Sequence, residues 1–354
     1  MKKVLCLIIC ALMVLSICAC NTKDPAPNEM ETGSPNVPGE EVTEEVPTES
    51  IVETEDPQAT EEPSQTEAPT ETETVTEEEA TEPPAPSETI APAEPSSPVE
   101  IKYSQVTYTV NDPNNANGLA TTSNGFSYGV AKDGVPHSQS VLNQQTFDGF
   151  ENVDVLALDT KTQEKVMYLT FDNGYEYENL TADILDTLKE KNVKAAFFIT
   201  MSYAQQNPQL VQRMIREGHI VGNHSTTHPS FPKLTRTQMA EEIGELDNYM
   251  RENFSYTSPY FRFPSGEYSE CALELVTSLG FRSVFWSVAH ADWDTNAQKG
   301  ADNAFATVTS RFHPGAVILL HAVSQDNTDA LGRMIDEAWA QGYTFKTLDE
   351  YPWN

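Results

Sequence analysis

Lys165-Val-Met-Tyr-Leu-Thr-Phe-Asp-Asn-Gly174 (KVMYLTFDNG) is an apolar, β-prone run that ends abruptly in an acid, an amide and a glycine. Apolar residues at successive rather than alternating positions mark a strand buried on both faces. That is the habit of a parallel sheet covered by helices. The chain beyond keeps the same rhythm. A helical pattern over 181–191 leads to a second apolar run at 193–200 (VKAAFFIT). An amphipathic stretch at 208–217 stops at Gly218, and 219–223 is strand-like. Residues 235–254 form a long amphipathic helix whose opening, Thr235-Arg-Thr-Gln238, matches a capping box. Strand candidates follow at 260–263, 281–288 (FRSVFWSV), 315–320 (GAVILL) and 343–347, with helices expected near 269–279, 303–311 and 327–340. The expectation is an α/β fold. About seven strand–helix units suit a closed or nearly closed barrel better than a doubly wound sheet. In either, ligands gather at the carboxyl ends of the strands.

The reactive side chains fall at those ends. Asp172 and Asn173 follow the first strand, and His224 and His228 the third. Arg262-Phe-Pro-Ser-Gly266 follows the next, then His290, Asp292 and Trp293, and finally His321. One acid after a strand is commonly a helix cap, but five strand ends converging on one mouth make a site. Two imidazoles four residues apart can hold a divalent metal such as Zn²⁺. Asp172 can take a proton from water, His321 can protonate a leaving nitrogen, and Arg262 can hold a carboxylate. No Ser or Cys nucleophile motif is present. The set points to metal-assisted hydrolysis of an amide or ester without a covalent intermediate. Trp286, inside an apolar strand candidate, is expected in the core, and His313, before Pro314-Gly315, in a turn.

The rest of the chain is of another kind. Residues 21–100 hold 23 Asp and Glu against one basic residue, Lys23, which accounts for −22 of the net −33. They also hold 14 of the 23 prolines and no aromatic residue, so they cannot bury enough surface to offset their ordering entropy. They are expected to be a disordered Glu/Thr/Pro-rich tether. Neither the tether nor the mildly acidic remainder offers the basic face that a nucleic-acid binder needs. Residues 1–20 combine Lys2 and Lys3 with a short apolar run and read as a signal peptide. Its end, Ile17-Cys-Ala-Cys20, resembles a bacterial lipobox, which implies lipid attachment at Cys20 and anchoring to the outer face of the cytoplasmic membrane; the protein is expected to be a monomer. Cys271, the one cysteine outside this leader, sits in a helical apolar pattern and is expected to be a packed thiol. Residues 101–164, with an alternating stretch at 103–110, are expected to form an extended segment or small lead-in domain before a catalytic domain at 165–350.

The residues at the strand ends resemble the polysaccharide deacetylase family (the NodB-homology domain, carbohydrate esterase family four). Thr170-Phe-Asp-Asn-Gly174 resembles its T-F-D-D-G motif, and His224-Ser-Thr-Thr-His228 its H-S/T-x-x-H motif. Arg262–Gly266, Asp292-Trp293 and Leu319-Leu-His321 resemble the remaining three. The resemblance implies a distorted (β/α)₇ barrel that removes N-acetyl groups from sugars. It implies Asp172 as general base, His321 as general acid, and Arg262 and Asp292 as the residues that orient them. His224, His228 and position 173 would hold the metal, with Leu319 and Trp293 walling the acetyl pocket and Pro264 and Gly266 shaping the substrate site. Asn173 replaces the family's usual aspartate and brings no charge, so a weaker or differently selective metal site is expected.

The form T-F-D-N-G-Y-E, with Asn296-Ala-Gln-Lys-Gly300 and residues 320–327 (LHAVSQDN), resembles the muramic δ-lactam-forming de-N-acetylases. The resemblance therefore implies N-acetylmuramic acid in peptidoglycan glycan strands as the substrate. Two alternatives are an N-acetylglucosamine deacetylase and a catalytically silent wall-binding lipoprotein. A preference for chito-oligomers would mark the first. Retained glycan binding without turnover would mark the second.

Overall fold

The computed structural model describes residues 103–353. The signal peptide, the Cys20 lipidation site and the acidic tether lie outside the described residues. In chain order the elements are β1 (Asn124–Gly125), α1 (Ser138–Asp148), β2 (Val155–Leu156), β3 (Val166–Asn173), α2 (Leu180–Glu190), β4 (Ala196–Ile199), α3 (Met201–Gln206), α4 (Pro208–Arg216) and β5 (Ile220–Asn223). They continue with α5 (Arg236–Phe254), β6 (Tyr260–Phe261), β7 (Glu267–Tyr268), α6 (Glu270–Ser278), β8 (Arg282–Val284), α7 (Ala301–Thr309), β9 (Ala316–His321), α8 (Gln325–Ala340) and β10 (Thr344–Phe345).

The main sheet is wholly parallel, in the order β10-β3-β4-β5-β6-β8-β2, with β9 on the other edge of β3. The expected distorted (β/α) barrel is what the chain forms. Both faces of β3 are buried, and its alternation sorts two cores. Met167, Leu169 and Phe171 pack outward with Leu185 of α2 and Leu331 of α8. Tyr168 points inward among Phe198, Tyr260 and Val317. Thr170 and Asp172 continue that inward row, so the period of two along a strand delivers Asp172 to the barrel mouth. The capping box of α5 is present: Thr235 N donates to Gln238 Oε1 (2.9 Å) and Gln238 N to Thr235 Oγ1 (3.2 Å).

Two expectations change. Residues 103–164 are not a separate lead-in domain, because β2 pairs with β8 inside the main sheet and β1 pairs with β7. The alternating stretch at 103–110 forms no strand. No strand edge is offered to it, and the side chain of Asn248 on α5 takes the place of one. Asn248 Oδ1 accepts from Val106 N (2.7 Å) and its Nδ2 donates to Val106 O (2.9 Å). The strand expected over 281–288 ends at Val284. Phe285 N still donates to Leu156 O, but Ser287 N and Val288 N donate to Val317 O. The chain thus leaves β2 for β9 and closes the barrel through a Val288–Ile318 bridge. The kink turns Trp286 out of the strand pattern. Among the described residues no helix is long and apolar enough to cross a membrane.

Candidate active site

The carboxyl ends of β3, β5, β6 and β9 open into a cleft of about 1550 Å³. Asp172 sits at its floor, buried, between two strands' worth of polar groups. Arg262, fully buried one residue beyond β6, donates through Nη1 to Asp172 Oδ1 (2.8 Å) and through Nη2 to Thr170 Oγ1 (2.9 Å). Its Nε donates to Val284 O (2.9 Å), and the guanidinium lies over the Phe198 ring at 4.1 Å. Three fixed bonds and a stacked face leave this fork one orientation. Burial alone would raise the Asp172 carboxyl. The charge of Arg262, with smaller help from His224 and His321, outweighs it and holds Asp172 below the usual carboxylate range.

His224 and His228 are brought together by a tight turn rather than a helix. Ser225 and His228 both adopt positive φ (69° and 59°). Ser225 Oγ accepts from His228 N (2.9 Å), and Glu242 Oε2 accepts from Thr227 N (2.8 Å). Non-glycine residues in this region carry strain that the surrounding bonds must hold. The two rings lie 4.8 Å apart. His224 Nδ1 faces Arg262 O at 2.9 Å; a carbonyl only accepts, so Nδ1 carries the hydrogen and Nε2 presents its lone pair. That Nε2 is 3.6 Å from Asp172 Oδ2. The contact is not an ion pair, because burial pushes His224 down to about 4, and burial also lowers His228.

Two neutral imidazoles suit a divalent ion that takes its other ligands from water and substrate. Asn173 is not among the residues that line the cleft. It is fully buried, its Nδ2 donates to Thr181 Oγ1 (3.2 Å), and its Oδ1 has no hydrogen-bond partner. Among the described residues, no three His, Cys, Asp or Glu side chains form a cluster that could hold a metal ion.

On the opposite side, His321 ends β9 directly beside Asp172, the two being register partners across β3 and β9. Asp292, 2% exposed, accepts from His321 Nδ1 (2.7 Å) and, on its other oxygen, from His321 N (2.8 Å). Burial pushes the His321 imidazole down, but the hydrogen bond and charge of Asp292, aided by Asp172, overcome it and hold it raised. Trp293, 58% exposed, stands at the rim with its ring 6.0 Å from that of His321. Leu319 lines the cleft, as does Gly266, whose φ is +65°. Pro264 does not. It is buried behind the turn, and Ser265 takes its place on the wall because the turn puts Ser265 in a left-handed conformation (φ 55°).

Several cleft residues were not legible beforehand. Phe126 and Tyr128 come from the lead-in, and Trp286, half-buried and packed against Phe126 and Phe285 at the edge of the core, also lines the cleft. Tyr128 OH donates to Ala289 O (2.6 Å). Thr170, buried beneath the cleft and accepting from Arg262 Nη2, is the one with a usable signal, since it lies two residues before Asp172 on the same strand face. Cys271 is buried and free, and buried His313 lies at a turn with Nδ1 on Pro314 O (3.0 Å), both as expected.

Comparison with known proteins finds relatives of this chain. The polysaccharide deacetylase family profile matches residues 159–284. The chain is 42% identical over 223 residues to the peptidoglycan-N-acetylmuramic acid deacetylase PdaA of Bacillus subtilis (strain 168), covering 62% of this chain and 83% of that protein. The solved structure of Bacillus subtilis PdaA, a family 4 carbohydrate esterase, superposes with a TM-score of 0.62 at 36% identity, covering 66% of this chain and 98% of that one. A family 4 carbohydrate esterase from Bacillus anthracis gives a TM-score of 0.53 at 36% identity, over 66% and 97% of the two chains.

Proposed function

The chain belongs to the polysaccharide deacetylase family, and from that premise we propose that it hydrolyses the N-acetyl group of N-acetylmuramic acid residues in peptidoglycan glycan strands. The observation that carries this is the pairing of Asp172 and His321 across β3 and β9, each held by its own buried partner. One is ionised and the other readily protonated, which is the division of labour that amide hydrolysis requires. The muramic target rests on the likeness to PdaA and on the two stretches at 296–300 and 320–327.

Asp172, oriented by Arg262, accepts a proton from the attacking water. His321 donates its Nε2 proton to the nitrogen as the C–N bond breaks, giving acetate and a free amine, while Asp292 supports the imidazolium. A divalent ion such as Zn²⁺, held through His224 and His228, would polarise the acetyl carbonyl and ease deprotonation of water. Leu319 and Trp293 shelter the acetyl methyl from solvent. The freed amine stands near the lactyl carboxylate of the same sugar, and loss of water between them would close a δ-lactam. The cleft exceeds the volume of a single-sugar pocket, which suits a polymeric substrate.

The proposal includes location. The lipobox-like Ile17-Cys-Ala-Cys20 supports anchoring by lipid on Cys20, with residues 21–100 as spacer between membrane and wall. Release of the protein from cells by Cys20→Ala is the expected result.

The deciding experiment digests peptide-free glycan strands and chito-oligomers with the purified full chain, with and without chelator, followed by product mass analysis. Muramic residues lighter by one acetyl group, dependent on Asp172, are expected. Products confined to glucosamine residues, or undiminished turnover in Asp172→Ala, would overturn the reading.

A further inference from the structure

The stretches at 296–300 and 320–327, which lie partly outside the five motifs, are clasped to one another. Gln298 Oε1 accepts from Ser324 Oγ (2.8 Å) and Asp326 N (3.3 Å), and its Nε2 donates to Asp294 O (2.8 Å). Asp326 Oδ2 in turn accepts from Lys299 N and Gly300 N, both at 2.7 Å. The clasp ties the loop that carries Asp292 to the segment that follows His321.

Asn327 sits inside it, 1% exposed. Its Nδ2 donates to Asp292 Oδ2 (2.6 Å), the oxygen that also receives His321 N. Its Oδ1 faces His290 Nε2 at 2.9 Å. The proton positions follow by elimination. A carboxylate only accepts, so the amide NH₂ must face Asp292; Oδ1 must then accept, and His290 Nε2 must carry a hydrogen. His290 Nε2 is itself 3.9 Å from Asp292 Oδ2. Asn327 therefore keeps a competing imidazole from taking the carboxylate away from His321.

We propose that Asn327 is a positioning residue that locks Asp292 onto His321 Nδ1, and that His290 holds the Asn327 amide in the orientation this requires. The inference rests on the reading of His321 as general acid. Locking the hydrogen on Nδ1 leaves Nε2 as the atom that meets the substrate. A carboxylate free to turn toward His290 would release the His321 ring to the other tautomer and to other rotamers.

The test compares Asn327→Ala, His290→Gln, His290→Ala and His321→Ala in the full chain. It uses steady-state kinetics, thermal melts and the downfield proton resonance of the His321 Nδ1–H···Asp292 bond. Asn327→Ala should lose or shift that resonance and lower kcat by roughly tenfold to a hundredfold with little change in KM, the size expected for misplaced catalytic groups. His290→Gln places an amide N–H near the position of Nε2 and should keep both resonance and kcat, whereas His290→Ala should weaken both. An intact resonance and wild-type kcat in Asn327→Ala would overturn the proposal, as would a fall in kcat with the resonance unmoved. Should Asn327→Ala not fold, the His290 pair decides: equal loss in Gln and Ala rejects the relay, and a Gln-specific rescue supports it. Full activity in His321→Ala would instead reject the functional reading, so the two failures are told apart.

Discussion

Arg262 donates to Asp172 Oδ1 at 2.8 Å from a position of zero exposure, and no other carboxylate is paired with that guanidinium among the described residues. The pair is buried and single-purpose. Desolvating two charges costs several kcal/mol each, so the arrangement is better read as fixing a geometry than as stabilising the fold.

Breaking the pair from one side should therefore be severe. Arg262→Met is expected to destabilise the protein by about 3–5 kcal/mol, because Asp172 is left buried and uncompensated. Asp172→Asn keeps the shape but leaves the Arg262 guanidinium buried without a counter-charge, so it should also destabilise the protein by about 3–5 kcal/mol while losing about 10²–10⁴ in kcat. Urea denaturation beside acetate-release assays checks both, and an Asp172→Asn enzyme with substantial turnover would contradict the base assignment.

The pH profile follows from the two signs. Asp172 must be ionised, and its lowered pKa keeps it so down to below the 3.8 of an ordinary aspartate. His321 must be protonated, and its raised pKa carries activity above 6.5 before it is lost with rising pH. The plot of kcat/KM against pH should thus show a basic limb above 6.5 and an acid limb set first by protonation of the metal-holding imidazoles, His224 at about 4, before Asp172 takes its proton below 3.8. Asp292→Asn should move the basic limb down, since it removes the charge that raises His321.

Stability should fall on the acid side for a separate reason. His219 is 3% exposed, and its Nδ1 accepts from Ala195 N at 3.2 Å. Burial, aided by Lys194, pushes it from 6.5 down to about 4. The unfolded chain binds that proton first, so the contribution is complete above 6.5 and is lost as the pH falls toward 4. The loss is on the order of 3 kcal/mol. His219→Asn keeps an acceptor near the Nδ1 position without titrating, and its unfolding free energy should vary less between pH 7 and pH 5 than that of the wild type, as read by chemical denaturation.

Gly266 is a steric test of the cleft wall. A Cβ there would lie 2.9 Å from Trp286 Cη2 and 3.2 Å from Phe126 Cβ, on a backbone with φ +65°. Gly266→Ala should cost about 1–3 kcal/mol and push the indole into the cleft, raising KM more than it lowers kcat. Melting curves and steady-state kinetics would show it.

Local chemistry in the chain was enough to place most of the machinery. The double-sided apolar run at 165–171, the capping residues of α5 and the helix-ending glycines are short-range signals, and they marked the strand–helix rhythm and the strand ends. Asp172, His224, His228, Arg262, Asp292 and His321 were readable because each sits where a strand stops. What could not be read depends on partners far away in sequence. Trp286 lines the cleft because its segment changes neighbours from Leu156 to Val317. The 103–110 alternation forms no strand because no sheet edge reaches it. Asn173 turns toward Thr181, and Asn327 sits between Asp292 and His290, for reasons that no spacing encodes. Hydrophobic periodicity is a property of neighbours along the chain. Which hydrogen bonds a buried polar group makes is settled only when distant segments close around it.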